Sequence, residues 1–244
     1  MSRRVNTSRA IALFCAGLVV LIAVCVIGAL GGWRGFMHAP AEPVTAIAVP
    51  SASVDPLNEG RLVSVQGRLA HTRAPFDDEL AIQVDDAAVL MRKVEMFQWQ
   101  ETCVAGVCTQ APAWSEAWID TSTFQSRQGH SNPDDFPFAS RQFTAEGIHL
   151  GAFKPDPGLI LTQLEAQPRP LRLSELPANL AASSSELDGR IFLGNDPMHP
   201  VVGDLRIGYS VIPAATATLT GVQKEDRLLP PTTPLPAQDP AESD

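Results

Sequence analysis

After Arg34 the chain has no cluster of basic residues beyond the pair Arg92 and Lys93. Proteins that bind nucleic acid neutralise phosphates with grouped Lys and Arg, so no nucleic-acid partner is expected. There is no GxSxG, HExxH, Walker-type loop or dinucleotide glycine fingerprint, which removes the usual signatures of serine hydrolases, zinc proteases and nucleotide-dependent enzymes. His71, His130, His149 and His199 stand far apart in sequence and fix no ligand set by spacing. The segment Gly129-His130-Ser131-Asn132-Pro133 is expected to be a turn, because glycine and Asn-Pro both favour one. No catalytic, cofactor-binding or metal-ligating set emerges, and a non-enzymatic protein without cofactor is expected.

Long apolar runs are absent with one exception. Ile11 to Leu30 carries no charge, and at about 1.5 Å per residue it covers the roughly 30 Å hydrocarbon core of a bilayer. A cleaved signal peptide is the rival reading, but its apolar stretch is shorter, at about 7–15 residues, and GGWRGFMHAP offers a poor cleavage site. Arg3, Arg4 and Arg9 precede the run and only Arg34 follows closely, which places the N-terminus in the cytoplasm and the bulk outside it. Past Arg34, 14 Lys and Arg stand against 27 Asp and Glu, a net charge of −13. An acidic domain held off the membrane surface follows.

Cysteine is scarce too. Cys15 and Cys25 fall inside the apolar run, and Cys103 and Cys108 are the only pair beyond it. An exported compartment favours a disulfide between these two, closing a short loop; free thiols and a metal site are the alternatives, the latter lacking any histidine within twenty residues.

The organisation expected is a cytoplasmic N-terminus at 1–9, a transmembrane helix at 10–32, a proline-rich spacer at 33–57, an extracytoplasmic domain at 58–229 and a disordered acidic, proline-rich tail at 230–244. The fold class is α+β: one N-terminal membrane helix, then a mainly β domain with a few short helices. Arg61 to Leu69 reads as a strand with a bulge or bend at Gly67. Val89 to Gln100 is apolar on both alternating faces and should be covered on both, leaving Arg92 and Glu95 to find ionic partners. In 204–211, Leu205, Ile207, Tyr209 and Val211 mark one buried face; Pro213 ends the ladder, and Ala217 to Gln223 is a possible partner strand. A helix is expected from Pro157, capped by Asp156, with a second short one after Ser174.

Two other chemistries are open. Asp77, Asp78 or Asp120 converging near a histidine would make an envelope hydrolase. Trp114 and Trp118, as an exposed pair, would form a recognition platform for lipid or glycan.

Several segments in order resemble the transmembrane protein 43 family: NEGRLVSVQGRL from Asn58, VLMRKVEMFQWQE from Val89, WSEAWIDTSTF from Trp114, GHSNP from Gly129, LGAFKPDPGLI from Leu150 and GDLRIGYSVIP from Gly203. The stretch from Val94 to Trp99 is the most specific. The resemblance implies a membrane helix followed by a large lumenal domain, periplasmic in a bacterium, and family members usually continue into further membrane helices where this chain has its proline-rich tail. It brings no catalytic residues. Its eukaryotic members are associated with organising membrane-protein complexes, so protein partners are expected, with self-association open. The Arg- and Ala-rich style points to a bacterial inner membrane as the location.

Overall fold

The computed structural model describes residues 45–126 and 129–231. The expected membrane helix at 10–32, the residues before it, the first part of the spacer and the tail from residue 232 lie outside the described residues. Among the described residues no helix is long and apolar enough to cross a membrane.

The domain is mainly β. In chain order the strands begin with β1 (Ile47–Pro50), β2 (Leu62–Ala70), β3 (Phe76–Asp77), β4 (Ile82–Gln83), the long β5 (Ala87–Val104) and β6 (Val107–Ser115). Then come β7 (Arg141–Thr144), β8 (His149–Leu150), β9 (Lys154–Pro155), helix α1 (Pro157–Gln163), β10 (Gln167–Arg169) and the single-turn helix α2 (Ala178–Ala181). The chain closes with β11 (Ser184–Leu187), β12 (Arg190–Leu193), β13 (Leu205–Pro213), β14 (Thr216–Lys224) and β15 (Arg227–Leu229). A six-stranded sheet has the order β1-β2-β14-β15-β9, with β8 also on β2. A seven-stranded sheet runs β11-β12-β13-β5-β6, with β10 on β13 and β7 on β5.

The alternating pattern explains which faces are inside. Val63, Val65, Leu69, Leu219 and Leu228 of the smaller sheet pack with Phe153 and with Leu159 and Ile160 of α1 in one core. Leu90, Val94, Met96, Leu205, Ile207 and Tyr209 of the larger sheet form a second core with Leu80, Ile82 and Leu171. Strand β5 serves both, because Ala88 and Val89 join the first core while Leu90 and Val94 join the second. That is why this stretch is apolar on both faces. Burial of β13 alternates as expected through Tyr209, but Ile212 is buried in the first core and Val211 only partly so.

Helix α1 starts where the sequence places it: Asp156 accepts a hydrogen bond from the Gly158 amide at 2.9 Å, and Pro157 takes the first position, where no amide donor is needed. Three local expectations give way. Gly67 marks no bulge, since the β2–β14 register passes evenly through Gly67 opposite Ala217; a Cβ there would stand 2.9 Å from the Ser51 hydroxyl, so the glycine admits a neighbouring chain. Ala217 to Gln223 becomes a strand but pairs with β2, because the register shifts at Pro213 and the chain leaves the larger sheet. And the smaller sheet begins within the stretch read as spacer, where Ile47 to Pro50 pairs in parallel with Val63 to Gln66. Pro50 is tolerated because β1 is an edge strand.

Candidate functional site

The outer face of the larger sheet, turned away from its core, concentrates charged and aromatic side chains. Glu95 of β5 lies opposite Arg206 of β13, and the Arg206 Nε donates to its carboxylate at 2.6 Å. Arg190 reaches the same oxygen at 3.4 Å, and the Lys93 ammonium stands 3.4 Å from the other. The Arg206 guanidinium also lies over the Trp114 ring, 4.6 Å from its centroid, and Trp114 packs against Phe97 and Phe192 with centroids 5.3 and 6.2 Å away. Such an arginine is fixed by a charge-assisted bond on one side and an aromatic face on the other.

Burial pushes the Glu95 carboxyl up, but the bonds from Arg206 and Lys93 outweigh it and hold the group below its ordinary range. A folded-state pKa that is depressed contributes stability fully present above the unfolded value of 4.5 and lost as pH falls through the folded one. Substituting Glu95→Gln should therefore lower stability at neutral pH and flatten its decline in acid. Denaturation midpoints at a series of pH values check this, and parallel curves for the two proteins would refute it.

Two clefts open on this face. One of about 290 Å³ is lined by Lys93, Glu95, Arg169, Arg190 and Tyr209; the other, of about 250 Å³, by Trp114, Leu187, Phe192, Pro197 and Arg206. Both share Asp188 and Arg190. Arg169 pairs with Glu175, while its Nη1 is buried and has no acceptor among the described residues. The clefts are lined by Lys93, Arg169, Arg190 and Arg206 against Glu95 and Asp188, with Glu116 and Glu175 paired to Lys93 and Arg169. Nothing local in the sequence points to Arg169 or Arg190, and the one signal for Arg206 is the polar side of the β13 alternation.

Trp114 thus belongs to this face, whereas Trp118 does not join it in a platform. Trp118 is 48 % exposed, and its indole donates to the Pro133 carbonyl at 2.8 Å, tying down the loop after β6. The same loop brings Asn132 against β5: its side chain accepts from the Trp99 amide at 2.7 Å and donates to the Trp99 and Ile119 carbonyls at 3.0 and 3.1 Å. His130 stacks on Trp99 with centroids 3.8 Å apart and bonds to Gln110, a half-buried packing role within the Gly129 turn.

Cys103 and Cys108 face each other across β5 and β6 and are joined by a disulfide. Ala105 and Gly106, at φ 50° and 82°, form the two-residue turn between them. Glu101 comes within 4.8 Å of both sulfurs, a spacing a metal ion would accept. The disulfide occupies those sulfurs, and the Glu101 carboxylate accepts from Gln110 and from the Gln125 amide.

The three acids considered for hydrolysis do not converge. Asp77 is fully buried and bound by Arg92 and Tyr209, Asp78 is exposed and paired with Arg141, and Asp120 caps the turn at Thr121–Thr123. Burial, then the bond to Asp77, pushes the Tyr209 hydroxyl far above its ordinary range, so it stays a donor. For Arg92, burial alone would lower the value, but the bond to Glu79 and the charge of Asp77 prevail and raise it. This cluster is structural.

The family model described as Transmembrane protein 43 matches residues 96–236 of this chain. The chain belongs to the transmembrane protein 43 family. Human Transmembrane protein 43 is 29 % identical to it across 78 % of this chain and 52 % of the human protein. The rat protein is 27 % identical over the same shares, and the Transmembrane protein 43 homolog of Drosophila melanogaster is 25 % identical over 62 % of this chain and 45 % of its own length. The chain spans about half the length of the curated relatives it matches. No solved structure matches it. Within the transmembrane protein 43 match lie β6, β13, β14 and the second half of β5 from Met96, and with them Trp114 and Arg206 of the outer face.

Proposed function

We propose that this member of the transmembrane protein 43 family is a non-enzymatic, membrane-anchored binding module that docks a protein partner on the outer face of its larger sheet. The observation that carries it is the pair of clefts around Arg190, bordered by an arginine already immobilised between Glu95 and Trp114. Trp and Arg are the residue types that dominate binding energy when they are held in place, because little side-chain entropy remains to be lost. Anchoring through Ile11 to Leu30, with the domain outside the cytoplasm, is supported by the uncharged run, by the arginines before it and by the disulfide, which persists in oxidising compartments.

Crosslinking of the full-length chain in its membrane, followed by purification in mild detergent, tests this. Arg190 is exposed, so Arg190→Ala should leave the fold intact while lowering recovery of the wild type's crosslinked partners at least tenfold. Recovery of the wild-type protein alone, under conditions that capture known membrane complexes, would overturn the reading.

A further inference from the structure

The far end of the β5–β6 hairpin has no use in either core or in the outer face. The tip from Cys103 to Cys108, CVAGVC, contains no charged or hydrogen-bonding side chain apart from the sulfurs, which the disulfide occupies. Val104 and Val107 are 71 % and 69 % exposed. They are opposite one another in the ladder, so both project to the same side as one apolar patch. The disulfide, one residue further down, holds the two strands together at that point. A patch of this kind, kept in shape without its partner, loses little conformational freedom when it is covered.

From this we infer that the hairpin tip inserts into the interfacial layer of the bilayer to which the chain is anchored. Polarity along the arm sets the depth. Thr102 and Thr109 follow the tip without charge, and the first ionic group is Glu101, three residues below Val104. At about 3.3 Å per residue that leaves roughly 10 Å of uncharged hairpin, which matches the boundary between headgroups and acyl chains where interfacial segments settle, at about 5–10 Å. Two valines and an alanine favour the lipid side by roughly a hundredfold, too little to hold a free protein on a membrane. For a chain already tethered the same preference is enough, because the bilayer is presented at high effective concentration. The net charge of −13 beyond Arg34 keeps the body of the domain off an anionic surface, so contact is confined to the uncharged tip and zwitterionic lipid is the expected partner.

The insertion rests on the anchored reading above, and one experiment separates the two. The full chain is reconstituted in phosphatidylcholine vesicles that contain a diazirine-bearing phosphatidylcholine, irradiated, and mapped by mass spectrometry. Lipid adducts are expected on the peptide containing Val104 and Val107 and, separately, within Ile11 to Leu30. The variant Val104→Gln/Val107→Gln, polar without placing like charges opposite one another, should lose the tip adducts at least tenfold and retain those of the apolar run, with an unchanged melting curve because both positions are exposed. Adducts in the apolar run with none at the tip would overturn the insertion and leave the valines to a protein surface. Tip adducts that persist in the double variant would overturn it as well. Absence of adducts from Ile11 to Leu30 would instead overturn the anchor, whatever the tip shows.

Discussion

Asp77→Ala is expected to destabilise the domain by about 3–5 kcal/mol, the cost of leaving a buried cation without its partner. Asp77 and the Arg92 side chain are both 0 % exposed and meet at 2.7 Å. The Asp77 carboxylate also accepts from the Tyr209 hydroxyl and from the amides of Glu79 and Leu80. Arg92 in turn bonds to the Ala139 carbonyl at 2.9 Å and to Glu79. Four segments distant in sequence are thereby joined at one point: the β3 region, β5, the approach to β7, and β13. Removing the carboxylate leaves the guanidinium with only Glu79 and the Ala139 carbonyl, and takes the acceptor from the Tyr209 hydroxyl and from the Glu79 and Leu80 amides in the second core. Removing every buried member at once behaves differently. The triple variant Asp77→Leu/Arg92→Met/Tyr209→Phe should recover part of the loss, since Glu79 is exposed enough to turn to water while the buried Leu80 amide still lacks its acceptor. Urea midpoints of the three proteins measure this. An Asp77→Ala midpoint equal to that of the wild type would show that the cluster contributes nothing.

The second large effect is expected at Gly151, where valine should cost about 2–5 kcal/mol. Its φ is +63°, a left-handed conformation that β-branched residues scarcely adopt. A Cβ at this position would stand 2.8 Å from the Ser51 carbonyl carbon. That carbonyl accepts the Ala152 amide at 2.7 Å, so the turn between β8 and β9 is fastened to the end of β1. Backbone on both sides of the clash leaves no flexible side chain to move aside. Thermal melting of Gly151→Val against Gly158→Ala, whose added methyl meets only the tip of Asp156 at 3.1 Å, separates this clash from a general effect of losing a glycine. Equal melting temperatures for the two variants would defeat the explanation.

Much of the fold could be read from spacing, and the failures have a common cause. Val89 to Gln100 was legible because burial on both faces writes an unbroken apolar stretch, and α1 was legible because Asp156 and Pro157 signal a start by local chemistry alone. Gly67 was misread because a bulge and a close approach of Ser51 both call for a missing Cβ, and the sequence does not say which. The strand at Ala217 was recognised but its partner was not, since pairing with β2 spans a long stretch of chain that carries no local mark. The same limit governs the site. Cys103 and Cys108 lie on one hairpin and could be paired by proximity, and Glu95 plainly needed a cation. Which cation was hidden, because Arg190 and Arg206 reach it only through the order of strands in the sheet. Trp118 was grouped with Trp114 for its closeness in sequence, yet an intervening turn sends it to Pro133.

Strand order also bears on how the chain must fold. The central neighbours of β5 and β2 are β13 and β14, which come after all but one of the other described strands in chain order. From Val104 to Leu205 the ribosome must add about 100 residues, which at about 5–20 residues per second is roughly 5–20 s. Throughout that interval the long apolar face of β5 has only β6 and β7 beside it, and neither sheet can close. If the chain is exported while it is made, the compartment beyond the membrane receives it as an open half-sheet, and its exposure to proteases and to mispairing is set by the rate of delivery of the stretch from Leu205 to Lys224.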